Sequence, residues 1–316
     1  VRPRGAAALL LAVLGAGLGA AGCREQPPPP AARPLVVASF YPLYDFARQV
    51  AGDRAEVESL VPPGVEPHDW EPSPRDVARL RQARLFVYNG AGFEQAADRL
   101  LRELAGQATV VVNATAGLAL QPSGEAHAHA HGPARGGAAD ERPDPHVWLD
   151  PVLAQAQVAA IRAGLERADP AGAAGYAERA RAAAARLQGL HEKFEAGLRH
   201  CARRTLVVSH AAFGYLARRY GLRQVAVMGL VPEAEPSPAD LAAVARLARR
   251  ERVTHVFFET LVSPRLAEAL AREVGAQTMV LNPVEGLTRE EAAAGRDYLA
   301  LMEANLARLR TALDCR

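Results

Sequence analysis

Three histidines stand in settings suited to holding a metal ion. His68 lies in Pro62-Pro63-Gly64-Val65-Glu66-Pro67-His68-Asp69-Trp70-Glu71-Pro72. His146 lies in Asp144-Pro145-His146-Val147-Trp148-Leu149-Asp150-Pro151, and His210 follows the apolar run Thr205-Leu206-Val207-Val208-Ser209. Imidazole is the commonest side chain on zinc, and three nitrogens with one carboxylate complete a tetrahedron around a borderline-soft ion. The Asp, Pro and Trp residues beside these histidines would hold rings and backbone in place. One such histidine alone is more often a hydrogen-bonded structural group. Three where predicted strands end, two of them bracketed by prolines and a tryptophan, favour a shared ligand. His191, His200 and His255 lack that context and read as structural or surface residues. The stretch Glu125-Ala126-His127-Ala128-His129-Ala130-His131 is different in kind. Alternate histidines in a polar, aperiodic stretch can share one weakly held ion, so His127, His129 and His131 form a candidate auxiliary metal loop; the plainer alternative is a spacer.

These side chains need strands and helices to position them. Leu35 to Ser39, Ala55 to Val61, Leu85 to Tyr88 and Thr109 to Val112 are short apolar runs that read as strands. Between them, Tyr41 to Ala51 has helical spacing and Ser73-Pro74 is a helix start. Residues 121–143 have no apolar periodicity and read as a long loop. Pro151 to Ala202 is strongly helical with a break at Asp169-Pro170. Ala171 to Arg199 would make one helix roughly 40 Å long. The second half repeats the theme: predicted strands at Thr205–Ser209, Gln224–Val227, Thr254–Phe258 and Thr278–Leu281, another helix start at Ser237-Pro238, and a closing helix from Glu290 to Leu313. Strands alternating with helices predict parallel sheets. The expected fold is α/β: two similar lobes, each a mostly parallel four-stranded sheet flanked by helices, joined by one long rigid helix. In such sheets ligands bind outside the carboxyl ends of the strands, where the three histidines fall.

The chain of 316 residues opens with Val1-Arg2-Pro3-Arg4, an apolar run from Ala6 to Gly22, and Cys23. Basic residues, a short apolar core and small residues describe a secretory signal over residues 1–22. Ala20-Ala21-Gly22 before Cys23 resembles a lipobox, so Cys23 is expected to carry lipid. Residues 23–34 then form a lipidated, Pro-rich tether. The expected division continues with an N-terminal lobe over 35–170, the linker helix over 171–202 and a C-terminal lobe over 203–316. No later stretch is apolar enough to span a membrane. The net charge of +2 offers no basic surplus for nucleic acid. Cys201 and Cys315 remain, and in an oxidising compartment they are a candidate disulfide pinning the last helix to the second lobe.

Taken together, Pro67-His68-Asp69-Trp70-Glu71-Pro72-Ser73-Pro74, Asp144 to Pro151, Ser209-His210-Ala211-Ala212-Phe213-Gly214-Tyr215-Leu216, Phe258-Glu259-Thr260 and Leu281-Asn282-Pro283-Val284-Glu285-Gly286-Leu287-Thr288 resemble a known family. It is the zinc/manganese substrate-binding lipoproteins of ABC transporters, the ZnuA-like cluster A-I group. The resemblance covers essentially all of the mature chain. It implies two lobes bridged by a helix, metal between them, and His68, His146 and His210 as ligands. Histidine at 210, where manganese-type members have glutamate, implies zinc. The fourth ligand it implies is Glu285, because members reading Asn-Pro-Leu-Glu use that glutamate where others use an aspartate at the position of Asn282. Water or Glu66 are the alternatives. Glu259 is implied to lie near the site without binding metal, and Asp150 to orient His146 or cap the next helix.

The expected function is extracytoplasmic zinc capture for an ABC importer, in the periplasm or on the outer face of the cytoplasmic membrane. The expected partners are a permease and its ATPase, with the chain a lipid-anchored monomer. Zn2+ is the expected cargo, with Mn2+ the alternative. An exported zinc metallohydrolase is the rival from another class, but four protein ligands would close the open position that catalysis needs, and no His-Glu-x-x-His helix or Gly-x-Ser-x-Gly elbow is present. A surface adhesin would have no use for a buried metal site.

Overall fold

The computed structural model describes residues 33–122, 143–231 and 236–316. Residues 1–23, with the signal segment and Cys23, and His127, His129 and His131 lie outside the described residues. In the first half, β1 (Leu35–Ala38), β2 (Glu56–Ser59), β3 (Leu85–Tyr88) and β4 (Val110–Asn113) alternate with α1 (Tyr41–Ala51), α2 (Pro74–Leu80) and α3 (Ala97–Leu104). The strands form a parallel sheet in the order β2-β1-β3-β4, with Val36 between Val57 and Leu85. The second half has β5 (Thr205–Val208), β6 (Arg223–Ala226), β7 (His255–Phe258) and β8 (Gln277–Val280). Its parallel order, β6-β5-β7-β8, is the same topology, with Val207 between Val225 and Val256. Between these strands lie α6 (Gly214–Arg219), α7 (Pro238–Arg250) and α8 (Arg265–Val274). The halves are joined by α4 (Pro151–Ala168) and the long α5 (Ala173–Leu198).

Each sheet is covered on both faces, so its central strands read as continuous apolar runs rather than alternating ones. Val36 and Ala38 of β1 enter a core that continues through Phe46, Ile161, Phe194 and Leu309, and so runs through both lobes. Leu35 and Val37 point the other way, towards Leu80 of α2 and Leu100 and Leu104 of α3. Across the second sheet, Val207, Val225 and Val256 pack on Val244, Leu247 and Leu270. The 26 residues of α5 span about 39 Å. Its buried stripe is Tyr176, Ala180, Ala183, Leu187, Leu190, Phe194 and Leu198, spaced by three and four. Arg179 ties its first part to the end of α1, donating to the carbonyls of Val50 (2.7 Å) and Ala51 (3.0 Å). Near its other end, Lys193 pairs with Glu303 of the closing helix at 2.5 Å.

Helix α4 starts on Asp150, whose side chain accepts from the N–H of Val152, with Pro151 in the first turn. It then lies close against the first sheet. A methyl added at Gly164 would stand 2.5 Å from Cγ2 of Val112 and 3.0 Å from Cδ1 of Leu85. Alanine is the better helix former by about 1 kcal/mol, but overpacking costs about 1–3 kcal/mol. Gly164→Ala is therefore expected to lower the denaturation midpoint in urea; a midpoint at or above the parent's would mean that helix and sheet separate freely.

One expected element divides. The closing helix predicted over Glu290 to Leu313 is two helices, α9 (Arg289–Ala293) and α10 (Tyr298–Leu313). Gly295 turns left-handed at φ 65°, which ends a helix. Asp297 starts the next by accepting from the N–H of Ala300 at 2.8 Å. The strand expected over Ala55 to Val61 is shorter, yet Leu60 and Val61 still donate to the carbonyls of Ala38 and Ser39 at 2.9 and 3.3 Å. Helices α3, α6 and α8 stand where the sequence reading set no element; α3 and α8 bury only two and three residues, and α6 is a six-residue helix too short to show a helical period. Cys201 and Cys315 are joined by a disulfide, and beside it Ala202 donates to the carbonyl of Asp314 at 3.1 Å. The end of α10 is thereby pinned next to the entry of β5. None of the described helices is long and apolar enough to cross a membrane.

Candidate metal centre

In each parallel sheet the strand order switches sides between the two central strands, and ligands gather beyond their carboxyl ends. In the second sheet those strands are β5 and β7. His210 follows β5 by one residue and Glu259 follows β7 directly. Oε1 of Glu259 lies 2.7 Å from Nδ1 of His210 and accepts that residue's backbone N–H at 3.3 Å. The first sheet acts at one remove. His68 rides on the loop after β2, and His146 on the segment before α4. The side-chain amide of Asn89, directly after β3, donates to the carbonyl of Pro145 at 2.9 Å, and its Oδ1 accepts from Gln157 of α4 at 3.0 Å. Oδ1 of Asp144 lies 2.7 Å from Nδ1 of His146 and accepts its backbone N–H at 3.0 Å. The two pairs are alike: a carboxylate on Nδ1 fixes the proton there and leaves the Nε2 lone pair free.

Glu285 sits on the turn after β8 and meets all three rings. Its Oε1 is 3.2 Å from Nε2 of His146, 3.4 Å from that of His68 and 3.5 Å from that of His210. One ligand atom from each of the four residues lies within 4.8 Å of the others. The side chains are buried: 0% exposed for His146 and His210, 1% for Glu285 and 4% for His68. Yet the three Nε2 atoms and both Glu285 oxygens lack hydrogen-bond partners. They lie within ion-pair distance but face a common centre instead of one another. A tetrahedral ion with bonds of about 2.0–2.2 Å holds its ligand atoms about 3.3–3.6 Å apart, so the three separations from Glu285 suit zinc. Buried polar atoms left unpaired cost about 1–3 kcal/mol each, and a cation would remove that cost. Phe93 packs against His68 with ring centroids 4.8 Å apart, and Trp148 against His146 at 5.2 Å, walling the cluster with aromatic surface.

Charge in the cluster divides unevenly. Burial opposes a proton on His210 and on His146, but Glu259 and Asp144 respectively, with Glu285, outweigh it and raise both rings, His210 furthest. His68 has no carboxylate of its own; burial wins and lowers it. Burial favours neutral Glu285, but His68, His146 and His210 outweigh burial and hold its carboxyl well below the ordinary range. Glu66 goes the other way. Burial, then the nearby charge of Glu285, pushes it up to about 8, and its Oε1 accepts the backbone N–H of His68 at 3.2 Å. It stands outside the four-residue cluster.

Other residues have plainer tasks. Asp150 caps α4 and pairs with Arg219 at 2.7 Å. His191 lies 3.2 Å from the Tyr220 hydroxyl, His255 lies 3.0 Å from that of Thr254, and the carbonyl of His200 accepts from the backbone of Arg316. The oxygen of the Asn282 side chain is taken by the N–H of Val284 at 2.7 Å. Sequence reasoning passed over Asn89, Phe93 and Asn305. For Asn305 a signal exists: it is the one amide on the buried stripe Tyr298, Leu301, Met302, Leu309 of α10.

Two parallel sheets whose carboxyl ends converge on a buried cluster of three imidazoles and one carboxylate define a two-lobed binding protein competent for a metal ion. The chain belongs to the ZnuA family, zinc-uptake complex component A, periplasmic, whose model matches residues 36–312. It is 40% identical over 278 residues to the high-affinity zinc uptake system protein ZnuA of Bacillus subtilis, covering 88% of this chain and 87% of the relative. It is 40% identical over 279 residues to the zinc-binding lipoprotein AdcA of Streptococcus pneumoniae, where 88% of this chain spans only 56% of the relative. The zinc-bound ZnuA-like domain of that AdcA has a similar structure, with a TM-score of 0.76, 38% identity, and coverage of 90% of this chain and 100% of the domain.

Proposed function

We propose that the chain captures zinc outside the cytoplasm and hands it to an ABC importer, with His68, His146, His210 and Glu285 as ligands. The observation that carries this is the unpartnered Nε2 of each ring, set 3.2–3.5 Å from one Glu285 oxygen. Three nitrogen donors favour zinc over manganese, which prefers oxygen-rich, higher-coordinate sites. Four protein ligands leave no open position for a catalytic water, so the protein binds without catalysing. Delivery involves a permease with its ATPase. A lipid on Cys23 holds the monomer at the membrane, and His127, His129 and His131 collect zinc as an auxiliary set of ligands. The domains run 35–170 and 203–316, with 171–202 as the linker. Because α5 bears on both lobes, release proceeds by local loop movement rather than wide closure.

Calorimetric titration of the apo-protein with zinc and with manganese, in buffers of different ionisation enthalpy, tests this reading. Zinc needs neutral imidazoles, so binding displaces protons from His146 and His210, whose affinity for protons is raised. The protons come from the two raised rings, and His68, lowered, is not a source. As pH rises through the raised values, proton release falls to zero; as pH drops, zinc affinity falls. Tighter binding of manganese than zinc, or no proton release at pH 7, would overturn the assignment.

A further inference from the structure

We infer that Asn282 is a positioning residue for Glu285: it holds the carboxylate in place through the backbone, with Trp148 as its counterpart on the other lobe. The inference rests on the ligand set proposed above. His146 and His210 are each steadied by a carboxylate on Nδ1. Glu285 has no such support, since neither of its oxygens has a hydrogen-bond partner. Its position must come from its main chain, and that main chain is anchored on both sides. Asn305 of α10 grips Asn282, accepting its N–H at 2.9 Å and donating to its carbonyl at 2.6 Å. The indole N–H of Trp148 reaches across from the first lobe to the carbonyl of Pro283 at 2.8 Å. Beyond Glu285, the carbonyl of Leu287 accepts from Gly64 at 2.7 Å.

Between these anchors sits Val284, fully buried at φ 59°. A β-branched residue rarely adopts this left-handed conformation, and such outliers persist only where their surroundings hold them. What holds it is Oδ1 of Asn282, accepting the Val284 N–H at 2.7 Å and closing an Asx turn. Without that acceptor Val284 relaxes towards negative φ, and Glu285, the next residue, swings off the three rings.

A double-mutant cycle tests this. Zinc affinity by chelator competition and zinc release by stopped flow are measured for Asn282→Ala, Glu285→Gln and the pair combined. Losing a group that orients a ligand typically costs about 10–100-fold in metal affinity, so Asn282→Ala is expected to weaken zinc by that factor, mostly through faster release. In the Glu285→Gln background it should add nothing, because it acts through that carboxylate. Asn282→Ser, whose hydroxyl can accept the same N–H, should recover part of the loss. The cobalt-substituted Asn282→Ala protein should show the ligand-field spectrum of Glu285→Gln. An undiminished effect of Asn282→Ala in the Glu285→Gln background would overturn the inference, as would an unchanged affinity in the single variant. If Asn282→Ala does not fold, Trp148→Phe, which removes the anchor on Pro283 but also thins the packing on His146, goes through the same cycle: the share of its loss that vanishes in the Glu285→Gln background is the share carried by the carboxylate, and a loss wholly undiminished there overturns the inference. A normal zinc affinity in Glu285→Gln alone would instead sink the ligand set beneath it.

Discussion

Replacing His210 by alanine is expected to weaken zinc binding by about two to three orders of magnitude. Closed four-ligand zinc sites bind with about 10–16 kcal/mol, so one ligand accounts for roughly 3–4 kcal/mol, and each 1.4 kcal/mol is tenfold. His210 should lie at the upper end of the effect. Its loss strips zinc of a nitrogen and leaves Glu259, 3% exposed, without the ring it faces at 2.7 Å. The vacated position would fill with water, so selectivity should shift towards oxygen-tolerant manganese. Glu259→Gln keeps the ligand but weakens its support, and should cost only about 10–100-fold. Chelator competition with zinc and manganese reads both effects, and an alanine variant within threefold of the parent would remove His210 from the site.

The same substitution alters the apo-protein in a way that depends on pH. Burial works against a charged His210, but Glu259 and Glu285 more than offset it and raise the ring above its ordinary value. A raised folded value stabilises the fold below the unfolded value, about 6.5 for histidine, and that stabilisation fades as pH rises through the folded value. The difference in melting temperature between parent and His210→Ala should therefore be largest in acid and shrink towards alkaline pH. A difference that grows with pH would mean that the ring is buried neutral and that the carboxylates do not govern it.

Loss of the Cys201–Cys315 disulfide, by reduction or by the double serine variant, is the second large effect. The bond spans 114 residues. Closing a loop of that size in the unfolded chain is worth about 5 kcal/mol on the chain-entropy account. For a domain of this size about 1 kcal/mol moves the melting temperature by about 2–4 °C, so a fall of about 10–20 °C is expected. Zinc affinity should barely change. The disulfide lies before β5, at the amino end of a parallel sheet, whereas His210 and Glu259 stand at the carboxyl end. A reduced protein melting within 2 °C of the oxidised one would mean that the backbone pairing of Ala202 with Asp314 and Arg203 with Leu313 already holds the C-terminus in place.

Much of this chain is legible before folding because its chemistry is written in residue types. Imidazole is a zinc donor wherever it stands, and short apolar runs separated by helical spacing become parallel strands because both sheet faces must be covered. The long α5 follows from the same local logic, since a stripe spaced by three and four buries one side over 26 residues. Local pattern misjudged the closing helix, where Gly295 and Asp297 outweigh the helical composition around them.

The carboxylate of the cluster is another matter. The family resemblance implies Glu285, but residue types alone leave it open against water or Glu66, which stands two residues from His68 whereas Glu285 stands 75 residues beyond His210. Tertiary structure brings Glu285 in. An amide on α10, an indole from the opposite lobe and a left-handed valine meet at one turn. Glu66 meanwhile is occupied by the backbone of His68. Residue identity determined which atoms can bind a metal. Only the packing of the two lobes decided which of them share a centre, because those contacts join residues far apart in the chain, and even the amide of Asn305, visible on its helical stripe, does not announce its partner.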